Sequence, residues 1–305
     1  MTMFRFLMAK QPAAAGYGLF AGGAAGSSGP YYSTTDKYNF STAVTSAGTS
    51  LGSSRGEMPG ISSASIGYVG GGTNPSRSAA VDKYTFSSDN VASGTNLLVA
   101  RMGLAGAGNS TVGIFGAGNS TIIELISDKY TFSSDSVASG TSFSASRWVW
   151  SATGNSTKGI FAAGLTGSFV TTATTSSYTY SSDAVATATS LSQSRYNLSS
   201  ANSATVGFFA CGYSGGKLSS VEKYTFSSDA VSYGTSLNTA KESNTGSSNA
   251  TVAIFGGGFT GGVGTSNTKT TEQYKFSDNS VTNGTDLTGS ARYGMAGCSS
   301  TPAHL

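Results

Sequence analysis

Apolar positions along this chain recur as a pair of short phrases, with no long helical stripe. One phrase is an apolar run closing on glycines, TVGIFGAG at residues 111–118; the other alternates, DKYTF at residues 128–132. In the first, Val112 and Ile114 point one way and Phe115 the other, so the strand needs cover on both faces. In the second, Tyr130 and Phe132 share one face while Lys129 and Thr131 share the other, the two-residue period of a partly solvated strand. The tyrosine of this phrase falls at Tyr38, Tyr84, Tyr130, Tyr178, Tyr224 and Tyr274, separated by 46, 46, 48, 46 and 50 residues. Six copies of a unit too small to bury its own apolar face predict a repeat architecture.

Each unit resolves into four short strands, a to d. Strand a follows Arg55, Arg101, Arg147, Arg195, Lys241 or Arg292, as in RMGLAGAG at residues 101–108; strand b is the apolar run and strand c the alternating one. A Ser/Asp turn at 133–136 then leads to strand d, anchored by Val137 and Phe143. Four-stranded blades set radially give an all-β, six-bladed β-propeller. The ends specify its closure. The first copy begins in strand b (GYGLFAGG, 16–23), and the chain finishes on ARYGMAGCSS (291–300), a strand a with no b, c or d behind it. The C-terminal strand is therefore expected to complete the first blade, three strands from one end and one from the other, which removes exposed sheet edges. A parallel β-solenoid is the rival, but its rungs are shorter and it has no use for a lone final strand. The expected division is a non-repeat docking segment at 1–15, the propeller at 16–300 and a tail at 301–305.

Composition narrows the function. Glycine numbers 42 without a G-X-Y register, which excludes collagen, and apolar residues at fixed positions argue against disorder. The net charge of +3 comes from scattered side chains with no basic stripe, so nucleic acid is not an expected partner. No run approaches the ~18–20 apolar residues of a membrane span. The patch from Phe4 to Met8 is shorter than a secretory apolar core. Cys211 and Cys298 lie in different copies without metal or redox spacing and read as buried thiols. The sequons at Asn109, Asn119, Asn155 and Asn249 read as turn chemistry in an intracellularly made protein.

Catalysis has few candidates. The single histidine, His304, sits next to the last residue, so no Ser–His or Cys–His pair is available within the repeats. Asp89, Asp135, Asp183, Asp229 and Asp278 recur as turn residues and do not converge on a pocket. No catalytic, cofactor or metal site is expected. The recurring acids Asp36, Asp82, Asp128, Glu222 and Glu272 and the recurring Arg55, Arg101, Arg147, Arg195 and Arg292 read as scaffold ion pairs, one per blade. Ser176 replaces the acid in the fourth copy, and Lys241 replaces one arginine.

Binding is expected in the b–c loops, which vary in length while the strands do not. Their aromatics Tyr31, Tyr32, Phe169, Tyr213 and Phe259 are candidates to meet a sugar or a partner, or else to cover blade ends. The N-terminal Met3, Phe4, Phe6, Leu7 and Met8 lie outside the repeat and are candidate docking residues, in cis or in trans.

The glycine-ended strand, the acid before the tyrosine and the arginine ahead of strand a resemble kelch-type β-propellers over about residues 16–300. The resemblance is to a divergent branch, because Val91, Val137, Val185, Val231 and Val281 stand where kelch repeats carry Trp. The repeated KYTFSSD, GTSL and NSTVGIFGGG-like phrases are similar to kelch-like proteins of tailed bacteriophages of aquatic bacteria. That resemblance implies a virion component of the tail, baseplate or fibre, made in the host bacterial cytoplasm and present in several copies beside other virion proteins. A receptor- or carbohydrate-binding module acting on a host-surface glycan is the alternative.

Overall fold

The computed structural model describes residues 16–26, 29–261 and 266–302, and these contain strands and no helix. Blade 1 holds β1 (Tyr17–Ala21), β2 (Thr35–Asn39) and β3 (Val44–Gly48). Blade 2 holds β4 (Gly60–Ser62), β5 (Ile66–Gly70), β8 (Val81–Thr85) and β9 (Asn90–Ser93); a hairpin of β6 (Thr73–Asn74) and β7 (Ser76–Arg77) decorates its b–c loop. Blade 3 is β10 (Ala105–Gly108), β11 (Val112–Gly116), β12 (Ser127–Thr131) and β13 (Ser136–Gly140). Blade 4 is β14 (Ser151–Gly154), β15 (Lys158–Ala162), β16 (Thr175–Thr179) and β17 (Ala184–Ala188). Blade 5 is β18 (Ser199–Asn202), β19 (Val206–Ala210), β20 (Val221–Thr225) and β21 (Ala230–Tyr233). Blade 6 is β22 (Thr245–Ser248), β23 (Val252–Gly256), β24 (Thr271–Lys275) and β25 (Val281–Asn283). The last strand, β26 (Ala296–Ser299), returns to pair antiparallel with β1, Leu19 opposite Cys298, giving blade 1 the order β26-β1-β2-β3. The chain is thus a six-bladed propeller closed three strands plus one.

The inner strands β4, β10, β14, β18, β22 and β26 touch in sequence around the axis. Their sequences are small because the wedges converge there: a Cβ on Gly246 would collide with the carbonyl of Ser200, and one on Gly297 with the carbonyl of Gly246. Hydroxyls stitch neighbouring inner strands, as Thr153 Oγ1 does to the Ala201 carbonyl (2.9 Å) and Thr245 Oγ1 to the Met295 carbonyl (2.6 Å). Strand b is buried on both faces, with Phe20, Phe115, Phe161, Phe209 and Phe255 wholly covered between blades. Strand c buries its tyrosine, and Tyr130 lies opposite Val137 of strand d.

The recurring phrases now acquire reasons. In the NST turns, the Oδ1 of Asn109, Asn155 or Asn249 accepts bonds from the N–H groups two and three residues on, so the sequon is an Asx-turn that opens strand b. In the SSD turns, Asp89, Asp135, Asp183 and Asp229 adopt positive φ and accept the hydroxyl of Tyr84, Tyr130, Tyr178 and Tyr224. Lys37 of the preceding blade reaches Asp89 at 2.8 Å, and Lys83 reaches Asp135 at 2.5 Å. The threonine of the GTSL-like phrase (GTNL at 94–97) reaches the same turn, as when Thr95 Oγ1 donates to the Asp135 carbonyl (2.5 Å), while Leu97 is buried. Each turn therefore latches one blade to the next. In blade 6 Asp278 lies in the turn as expected, but it is Asn279 that has the positive φ and accepts from Tyr274 (2.9 Å). The turn there is built differently, and Asp278 caps it by accepting from Ser280 N–H (3.0 Å).

Burial opposes ionisation of Asp89, Asp135 and Asp229, but the bonds from Lys37 and Tyr84, from Lys83 and Tyr130, and from Tyr224 and Thr189 outweigh it. All three carboxyls lie below their usual range. A lowered folded pKa stabilises fully above the unfolded value, near pH 4, and that stabilisation is lost as pH falls through the folded value. The contribution of these three carboxyls to the urea midpoint is expected to be constant above about pH 5 and to be lost below about pH 4. The triple variant Asp89→Asn/Asp135→Asn/Asp229→Asn should show a shallower acid limb.

Blade 1 lacks the tyrosine–carboxylate–lysine part of the latch. Ala43 (φ 56°) occupies the aspartate position, Gln273 of blade 6 stands where the lysine would be, and the buried Tyr38 hydroxyl has no partner among the described residues. The seam keeps the threonine bond, Thr285 Oγ1 to the Ala43 carbonyl (2.6 Å), and adds Thr45 Oγ1 to the Asp286 carbonyl (2.5 Å). Asp tolerates the left-handed region better than Ala. Ala43→Asp is therefore expected to raise stability by about 1 kcal/mol in a denaturant titration. No gain would mean that the tyrosine–carboxylate contact contributes nothing to the other blades.

Candidate functional site

Antiparallel strands place the a–b and c–d turns on one face of the disc and the b–c loops and d–a segments on the other. The turn face is nearly uniform: its a–b turns are three residues each in blades 2 to 6 (63–65, 109–111, 155–157, 203–205, 249–251). The loop face is not. Its b–c loops span 22–34, 71–80, 117–126, 163–174, 211–220 and 257–270.

Beneath the loop face lie the acid–base pairs, all within single blades. Arg101 meets Asp128 at 2.5 Å, Arg195 meets Glu222 at 2.6 Å, Arg292 meets Asp36 at 2.5 Å, Lys241 meets Glu272 at 2.9 Å, and Arg55 meets Asp82. The guanidiniums also take carbonyls at the start of the b–c loop, as Arg292 Nε does with Gly22 (2.7 Å) and Arg195 Nη1 with Cys211 (3.0 Å). The acids accept N–H groups from the d–a segment, such as Asn238 to Glu272 (2.6 Å) and Ser192 to Glu222 (2.5 Å). These side chains are sealed from solvent and hold the loops in place. In blade 4, where Ser176 replaces the acid, Arg147 turns to Thr174 Oγ1 and is only half-buried.

Two residues beyond each base, the backbone makes a closed ring. Gly103 N–H donates to Glu57 O (2.9 Å), Val149 to Gly103 (3.0 Å), Asn197 to Val149 (2.9 Å), Ser243 to Asn197 (2.7 Å), Gly294 to Ser243 (3.0 Å) and Glu57 to Gly294 (2.7 Å). All six have positive φ, including the β-branched Val149, at a cost of about 1–3 kcal/mol for each non-glycine. This cyclic ladder draws the blades together around the axis on the loop face.

Inside it, the axial cavity has a volume of about 180 Å³ and is lined by the inner strands, with Pro302 at the turn-face end. Among the described residues that line it there is no carboxylate, imidazole or ammonium. Burial pushes the Cys298 thiol up to about 12, which leaves it a packed, protonated group. Cys211 is likewise buried and free, its thiol pushed up to about 12 by burial. Among the described residues no cluster of His, Cys, Asp and Glu has metal-ligand geometry.

The sequence-predicted aromatics separate on this face. Phe169 stands 65% exposed at a positive φ of 58°, and Tyr31, Tyr32 and Tyr213 are half-buried. Phe259, expected to be exposed, is 7% exposed: its ring packs 4.1 Å from Tyr293, with Ala24 and Tyr31 alongside, because it follows the glycine pair and bridges to Glu242. Burial, then Glu57 and Tyr31, push the Tyr293 hydroxyl up to about 12. Met3, Phe4, Phe6, Leu7 and Met8 lie outside the described residues.

What remains accessible forms two sectors. The first, on blades 5 and 6, sets Tyr196 5.5 Å from Tyr213 and Lys217 Nζ 6.0 Å from the Tyr213 ring; Lys217 also pairs with Glu242 at 3.3 Å. The second, on blades 3 and 4, is apolar: Ile122 and Leu125 in one b–c loop, Phe169 and Val170 in the next. The loop carrying Ile122 and Leu125 was not among the sequence candidates. Its signal was the Ile-Ile-Glu-Leu run at residues 122–125. No protein-family model matches this chain, and no curated protein matches it.

Proposed function

We propose that this chain is a non-enzymatic structural component of a bacteriophage virion, associated with the tail, baseplate or fibre, in which a divergent kelch-type propeller serves as a rigid interaction scaffold. The contrast between a uniform turn face and a loop face of varied lengths and exposed apolar side chains carries the scaffold reading, since variable loops on a fixed frame are where recognition resides. The wording of the repeats, similar to kelch-like phage proteins, supplies the virion setting. No helix among the described residues is long and apolar enough to cross a membrane. Immunogold electron microscopy of purified particles tests the setting: label at a fixed place on the tail supports it, and particles free of the protein by mass spectrometry defeat it.

The Tyr196–Tyr213 pair with Lys217 and Glu242 favours a second reading, recognition of a host-surface glycan, because an aromatic ledge beside a charged pair suits a sugar ring. Glycan-array binding that disappears in Tyr213→Ala would place recognition ahead of scaffolding.

A further inference from the structure

Seven large apolar side chains are exposed among the described residues, and four of them, Ile122, Leu125, Phe169 and Val170, share two adjacent loops. The surface between these loops is continuous. Phe143 N–H donates to Leu125 O (2.8 Å), Arg147 N–H to Glu124 O (3.1 Å), and Trp148 pairs with Leu165 while its ring meets Phe169 edge-on at 6.1 Å. Presenting Phe169 to water in the left-handed region is doubly unfavourable, and such a grouping marks an interaction surface.

The chain carries a matching apolar element. Phe4, Phe6, Leu7 and Met8 are flanked by Arg5 and Lys10 with no acid among residues 1–15, whereas the loop patch holds the carboxylate of Glu124 between Ile122 and Leu125. Gly16, the first described residue, leads into β1 from the turn face, its carbonyl accepting from Phe40 N–H (3.0 Å). The segment therefore leaves from the face opposite the patch. Blade 4 also lies across the ring from blade 1. Eight residues from Met8 to Gly16 span at most about 29 Å. A path outward past two strands, up a five-residue blade and back over the rim is on the order of 50 Å. A copy cannot bring this segment to its own patch.

We infer that the apolar sector on blades 3 and 4 binds the N-terminal segment, residues 3–8, of a second copy of this chain, so that copies join head to tail. Arg5 and Lys10 give that segment the charge complementary to Glu124. The contact uses different surfaces on its two sides, so it is heterologous and propagates as an open row instead of closing as a dimer. It does not depend on the virion assignment.

Sedimentation velocity of the full chain from about 1 to 200 µM tests this, with two variants that leave the blades untouched. The wild type is expected to grow in mass past a dimer. Phe169→Ser/Val170→Ser and Phe4→Ser/Phe6→Ser should each weaken association by about tenfold or more. Mixing the two variants should give a 1:1 complex and nothing larger, because one keeps only the segment and the other only the patch. A labelled peptide of residues 1–12 should bind the Phe4→Ser/Phe6→Ser chain and not the Phe169→Ser/Val170→Ser chain. A wild type monomeric throughout, a plateau at dimer, or undiminished association in either variant would overturn the inference.

Discussion

A chain ending at Gly289 is expected not to fold at all. The deleted residues include β26, the inner strand of blade 1, and with it the pairing of Gly18–Ala21 to Ala296–Ser299. Arg292 goes too, leaving the buried Asp36 without its cation and Gly22 O without its donor. Met295 and Cys298 vanish from the cores on either side of blade 1. The Thr245 and Ser247 hydroxyls lose the carbonyls of Met295 and Cys298, and the six-membered backbone ring loses Gly294. What is left is an open arc with bare edges at β1 and at the inner strands of blades 6 and 2. Loss of a strand, a buried pair and two packed cores exceeds the about 5–15 kcal/mol that holds an ordinary domain together. Circular dichroism and size exclusion should find an aggregated chain with no cooperative melt, and co-expression of residues 290–305 should restore soluble protein. A truncated chain that melts cooperatively within a few degrees of the full one would remove the argument for closure.

Much of this architecture is written in residues that repeat. The tyrosines count the blades, and the unaccompanied ARYGMAGCSS at the end announces how the ring closes, because a propeller strand without partners has only one vacant place to go. Other features left no such trace. The ring of backbone bonds runs through Glu57, Gly103, Val149, Asn197, Ser243 and Gly294, which share no side-chain chemistry, since only their N–H, C=O and φ matter. Asp278 looked like the blade-6 counterpart of Asp229 because both are acids in a turn. The fold counts five residues from the tyrosine, and there Asn279 accepts the hydroxyl equally well. Phe259 read as a loop aromatic because it follows glycines, yet those glycines carry it back against Tyr293. On the loop face the legible part was which segments vary; which side chains stay exposed depended on packing across blades, as Phe169 and Phe259 show from equivalent loops.

The second large effect is expected from the buried ion pairs, with Arg101→Met as the cleanest case. Arg101 and Asp128 are 0% and 1% exposed, and desolvation lowers the arginine's pKa while raising that of the aspartate. Breaking the pair strands a buried carboxylate whose other oxygen, Oδ1, already has no hydrogen-bond partner among the described residues. A loss of about 3–5 kcal/mol is expected in urea titrations at pH 7. The pH dependence should carry the signature. Arg101 opposes the upward shift of Asp128, so its removal drives the folded pKa further above the unfolded one. A carboxyl with a raised folded pKa destabilises once the pH exceeds its unfolded value, most fully above its folded value, and protonation relieves the penalty as pH falls. The variant should therefore recover part of its loss relative to the wild type as pH falls toward the unfolded carboxyl value of about 4. Arg101→Met/Asp128→Leu should lose less than Arg101→Met alone, since an apolar pair leaves no buried charge. If the single variant at pH 7 lost under about 1 kcal/mol, the pairs would be ornaments of the repeat and the loop face would owe its rigidity to something else.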